Sequence, residues 1–107
     1  MQELLNAGYT KVCTVDDIPQ MMPRKVSVDG RSVLLCRDAG EIYAIDEICP
    51  HKQKSMAYGV VHAGKIICPH HQYEFELDTG RCRRKRCAPV LTYEVEVVDT
   101  EVFVKAG

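Results

Sequence analysis

Along this chain, apolar residues recur in short alternating or β-branched runs, and no long stretch carries the 3.6-residue spacing of a helix. The runs are Lys11–Val15, Lys25–Val28, Ser32–Cys36, Glu41–Ile45, Val60–His62, Lys65–Ile67, Tyr73–Leu77, Tyr93–Val98 and Glu101–Val104. A period of two lines one face of a strand, so each run predicts a short strand. Between them stand Asp29-Gly30, Ala39-Gly40, Ala63-Gly64, Asp78-Thr79-Gly80 and Asp99-Thr100. Asp29-Gly30 is the clearest hairpin signal, because a two-residue turn there needs positive φ values that Asp and Gly tolerate. Many short strands at such spacing indicate an all-β sandwich or barrel. Thr14–Pro19 reads instead as an isolated turn or short helical start, with Thr or Asp available to cap it and nothing functional attached.

Composition narrows the class. With 107 residues, 46% of them hydrophobic and 27% charged, the chain is expected to form one domain spanning 1–107. Its first twenty residues are charged throughout, which excludes a signal peptide or spanning helix there and places the protein in the cytoplasm, away from membranes. Six cysteines in a reducing compartment, interleaved with histidines, point to metal before disulfides. The net charge of −1 hides an asymmetry: Arg81, Arg83, Arg84, Lys85 and Arg86 lie within six residues, leaving −6 on the rest of the chain. No aromatic side chains interleave with these arginines, so nucleic acid is a poor partner.

The candidate chemistry lies in two short motifs, Cys49-Pro50-His51 and Cys68-Pro69-His70-His71, with sixteen residues between His51 and Cys68. Zinc also takes two cysteines and two histidines, and a zinc-stabilised interaction module is the rival reading. Zinc motifs usually pair cysteine with cysteine and histidine with histidine. Here each loop offers one thiolate and one imidazole, which suits two adjacent irons, one held by both cysteines and the other by both histidines. In the second motif, Tyr73, Phe75 and Leu77 share one strand phase, and continuing it backwards places His71 with them and His70 with the polar residues. The phase favours His71 over His70 as the ligand. The residue before each proline is driven into extended backbone, which restrains Cys49 and Cys68.

These motifs, together with Tyr73-x-Phe75-x-Leu77-x-Thr79-Gly80 and Ala88-Pro89-Val90-Leu91, resemble the Rieske [2Fe–2S] ferredoxin family and, more distantly, nitrite reductase small subunits. The resemblance implies a Rieske-type antiparallel β-sandwich with a small cluster-binding subdomain of two loops, at about residues 46–88. It implies one [2Fe–2S] cluster ligated by Cys49, His51, Cys68 and His71, with the cysteine-held iron staying ferric and the histidine-held iron cycling. High-potential respiratory members carry a disulfide between their ligand loops and hydroxyl donors to the cluster. The corresponding positions here are Lys54 and His70, and Tyr73 and Phe75, so the resemblance implies a low-potential centre. Gln53 and Gln72 depart from the family, where glycine commonly follows each loop histidine.

By the same resemblance the protein is an electron-transfer component and not itself an enzyme, passing single electrons from a flavin-dependent or similar reductase to a terminal oxygenase. A small subunit of a nitrite reductase or other larger redox enzyme is the alternative. The basic run, Arg81 to Arg86, is expected either to be a solvated loop or to form a patch docking an acidic partner. Cys82 and Cys87 are expected as two free thiols, Cys13 and Cys36 as core residues, and His62 as a structural or surface histidine.

Overall fold

All nine expected runs form strands: β1 Tyr9–Thr14, β2 Arg24–Val28, β3 Arg31–Asp38, β4 Glu41–Asp46, β5 Val60–His62, β6 Lys65–Ile67, β7 Glu74–Glu76, β8 Thr92–Val98 and β9 Glu101–Lys105. The computed structural model describes residues 2–50, 54–69, 73–83 and 88–106. A short helix α1, Gln2–Asn6, precedes them and was not signalled by the apolar pattern. It is a single turn and a half, closed by the Gln2 side chain donating to Asn6 Oδ1 at 3.1 Å. The expected helical start after Thr14 is a 3-10 turn at Val15–Asp17. Its Asp17 carboxylate accepts from both the N–H and the hydroxyl of Thr14, at 3.0 and 3.1 Å.

Six strands form one antiparallel sheet in the order β1-β9-β8-β4-β3-β2, and β5-β6-β7 form a second. The hairpin predicted at Asp29-Gly30 joins β2 to β3, and both residues take positive φ, 50° and 80°. Several strands run one or two residues longer than the apolar pattern, because ladder pairing continues into the polar residues beside the turns. Strand β7 is shorter than Tyr73–Leu77: the carbonyl of Tyr73 is taken by Cys68 N–H, and Leu77 N–H by Gly64.

Strand β3 explains how two layers share one sheet. Its run Val33-Leu34-Leu35-Cys36 is buried on both faces, as a continuous apolar run requires. Val33 and Leu35 pack with Cys13, Ala44, Val102 and Val104 inside the six-stranded sheet. Leu34 and Cys36 face the other way and pack with Ile45, Met56, Ile66, Phe75 and Leu77 beneath the smaller sheet. Cys13 and Cys36 are thus core residues as expected, and burial pushes the Cys36 thiol up to about 12, keeping it protonated. Among the described residues no helix is long and apolar enough to cross a membrane.

Candidate metal centre

Cys49 lies just beyond β4 and Cys68 just beyond β6, and both close their loops in the same way. Cys49 N–H donates to the carbonyl of Lys54 at 2.8 Å, and Cys68 N–H donates to the carbonyl of Tyr73 at 2.7 Å. Each bond spans five residues, so each cysteine opens a short loop that its following proline leads into. In sequence, His51 falls inside the first closure and both His70 and His71 inside the second. Cys49 and Cys68 are fully buried, neither is in a disulfide, and both belong to the core cluster formed by Met56, Phe75, Leu77 and Val90.

His51, His70 and His71 lie outside the described residues, as do Gln53 and Gln72. The described half of the donor set nonetheless fits a two-iron cluster: two reduced thiols, buried together in an apolar setting, at the mouths of two equivalent loops. A thiolate buried there would call for a cation close by, and a metal shared between the two loops would supply it. A structural zinc would take the same donors, so geometry alone leaves the metal open.

The surrounding residues are placed by the same two loops. Phe75 is fully buried below them and has no donor to offer a sulfur. Tyr73 is half-buried against the core, and Lys54 is exposed. His62 is exposed on β5, in keeping with a surface histidine. Gly80 brings the chain back over the core: its N–H donates to Glu76 and its carbonyl accepts from Val90 N–H at 2.8 Å. That contact holds the Ala88–Leu91 segment against the second loop's strand.

The basic run corrects one expectation. Cys82 is disulfide-bonded, whereas two free thiols were expected at 82 and 87. The expectation rested on the reducing compartment, which governs whether a bond persists, while a four-residue spacing leaves the bond geometrically open. Cys87 lies outside the described residues, together with Arg84, Lys85 and Arg86. The start of the run continues the small sheet: Phe75 bridges to Cys82, and Arg83 N–H donates to the carbonyl of Glu74. Arg81 is exposed, and the Arg83 guanidinium meets Glu76 Oε2 at 3.4 Å.

One group escaped the sequence reading. Glu47, two residues before Cys49, is the only buried charged residue among the described residues. Ser55 donates to its Oε2 at 2.7 Å and Lys25 Nζ lies 3.2 Å from the same oxygen. The hydrogen bond from Ser55, reinforced by Lys25, holds the Glu47 carboxyl below its ordinary range despite burial. The available signal was strand phase: Tyr43, Ile45 and Glu47 continue one alternation, which carries a carboxylate onto an apolar face.

Comparison with known proteins places the whole arrangement. Residues 8–102 match the model of the Rieske [2Fe-2S] domain. The ferredoxin component of the naphthalene 1,2-dioxygenase/salicylate 5-hydroxylase systems of Ralstonia is 35% identical over 105 residues, covering 94% of this chain and 98% of that one. The ferredoxin of carbazole 1,9a-dioxygenase from Nocardioides aromaticivorans superposes with a TM-score of 0.85 at 34% identity, covering 92% and 98% of the two chains. A chain from the complex of reduced oxygenase and oxidized ferredoxin in carbazole 1,9a-dioxygenase does so at 0.82 and 30%, covering 92% and 93%. The antiparallel β fold is that of these ferredoxins, and the cofactor is one Rieske-type [2Fe–2S] cluster. This chain belongs to the Rieske [2Fe–2S] domain family.

Proposed function

We propose that this protein is the low-potential ferredoxin of an oxygenase system, with Cys49, His51, Cys68 and His71 holding its cluster. The observation that carries the reading is the matched pair of loop closures at Cys49 and Cys68, each enclosing a motif histidine in sequence. The cluster, when bound, takes up and releases one electron at a time. The chain's own contribution is to fix two thiols in a dry site and to hold both loops in register from one core. It is an electron-transfer component, like its relatives, which are ferredoxin components of dioxygenase systems.

A flavin-dependent or similar reductase would supply the electron and a terminal oxygenase would receive it. The complex between a similar ferredoxin and its oxygenase supports the second partner. Arg81, Arg83, Arg84, Lys85 and Arg86 form the candidate docking patch for an acidic partner. A low potential follows from two residues: Phe75 offers no hydroxyl to a sulfur, and Lys54 stands where an inter-loop disulfide would need cysteine. Residues 1–107 act as one domain with the cluster-binding subdomain at about 46–88, and the cytoplasm is its compartment. Cys13, Cys36, Cys49 and Cys68 lie outside any disulfide, which suits a reducing environment, whereas the disulfide at Cys82 runs against it.

The deciding experiment is the visible and electron paramagnetic resonance spectrum of the purified protein. A brown protein with the low average g value of a reduced Rieske centre is expected, whereas a colourless protein with one zinc would overturn the reading. His71→Ala is expected to lose the cluster and His70→Ala to keep it. A midpoint potential matching the respiratory proteins would contradict the low-potential assignment, and constant co-purification with a large flavoprotein would make the chain a subunit instead of a carrier.

A further inference from the structure

The first ligand loop is closed twice over. Its described stems are paired through the backbone: Cys49 N–H reaches Lys54, Met56 N–H reaches the Glu47 carbonyl at 2.8 Å, and Ile48 bridges to Ser55. A hairpin so paired needs no side-chain tie. Glu47 on its entering stem and Ser55 on its leaving stem are nonetheless joined at 2.7 Å, and Ser55 Oγ also accepts from Ala57 N–H at 3.0 Å. The same carboxylate oxygen meets Lys25, which stands on β2 in the six-stranded sheet.

Burying a carboxylate is costly unless hydrogen bonds and an opposite charge compensate it. The compensation here links three parts of the chain: both stems of the loop and the neighbouring strand. It also fixes a negative charge two residues from Cys49, with its counter-charge on β2 and half in solvent. Nearby net charge is one of the terms that sets an iron–sulfur potential, and partners beyond the ligands fix how firmly a metal is held.

We propose that Glu47 is a positioning residue for the first ligand loop, and that the Glu47–Ser55–Lys25 link both retains the cluster and trims its potential. The inference rests on the ligand role of Cys49 proposed above. Ser55 supplies the mechanical part, and the opposed charges of Glu47 and Lys25 supply the electrostatic part. Removing Glu47's charge favours the reduced, more negative cluster; removing Lys25's charge disfavours it.

The test uses the intact, cluster-loaded protein, with midpoint potential and the rate of cluster loss to an iron chelator as readouts. Glu47→Gln should shift the potential upward and Lys25→Met downward. Ser55→Ala should leave the potential within error but speed cluster loss by about tenfold, the scale of a lost partner one step behind a metal ligand; Ser55→Thr should restore the slow rate. If Glu47→Gln does not load, Lys25→Met carries the electrostatic test, since its side chain is 56% exposed and its removal spares the loop. Shifts of the same sign, no shift in either variant, or unchanged cluster loss in Ser55→Ala would overturn the proposal. Cys49→Ala is the separate control: full cluster retention there would defeat the ligand assignment itself.

Discussion

At the scale of single residues, Gly80 shows how tightly the second loop's surroundings are drawn. Its φ of +75° is a left-handed conformation, and a Cβ there would collide with the Val90 carbonyl oxygen and lie 2.9 Å from Thr92 Cγ2. Backbone cannot step aside as a flexible side chain can. Left-handed strain costs an ordinary residue about 1–2 kcal/mol and overpacking about 1–3 kcal/mol. Gly80→Ala should therefore lose about 2–5 kcal/mol, read as a fall in the urea midpoint by circular dichroism. An unchanged midpoint would show that residues 88–91 can move off the core. Such residues are legible as turn signals in the sequence, but the close approach is not, because Val90 is ten positions away. Glu47 escaped for the same reason. Its partners Lys25 and Ser55 come from two other segments, and only the folded sheet brings them to one oxygen.

Among the secondary-structure elements, short alternating or β-branched apolar runs located every strand. Pattern could not say how the small sheet is fastened to the large one. That task falls to Asp38 at the end of β3, whose Oδ2 accepts from Gly64 N–H in the β5–β6 turn at 2.7 Å. Gly64 then passes its carbonyl to Leu77 N–H beyond β7 at 2.9 Å. One carboxylate thus joins the two hairpin turns and, through them, steadies the strand that follows the second ligand loop. Deleting it leaves a part-buried N–H without its partner, a loss of about 1–2 kcal/mol. Asp38→Ala should accelerate amide exchange in β5 and β6 while leaving β1 and β9 unchanged, and Asp38→Asn should restore most of the protection. Uniform acceleration across both sheets would mean that they open together and that Asp38 is no specific fastening.

Across the whole molecule, the densest block of like charge in the sequence is Arg81 to Arg86. Glu94 and Glu96 are exposed on β8 of the large sheet, while the described start of the basic run, Arg81 and Arg83, follows β7 of the small sheet. If the run docks an acidic partner, attraction at the distance of approach depends on net local charge and on salt. Replacing Arg83, Arg84 and Arg86 with Gln should slow reduction by the partner reductase by about tenfold or more at low ionic strength, within the range steering supplies. Above a few tenths molar salt the variant and the parent should converge. The ion pair between Arg83 and Glu76 adds a sign test, because Glu76 lies in the same region and offsets one of the arginines. Glu76→Gln should speed reduction about twofold at low salt if the patch steers an acidic partner. Stopped-flow rates over a salt series decide it: no salt dependence in the parent, or slower reduction in Glu76→Gln, would reduce the run to a solvated loop. Opposite responses to the two substitutions, both erased by salt, require that the surface charge itself guides the encounter.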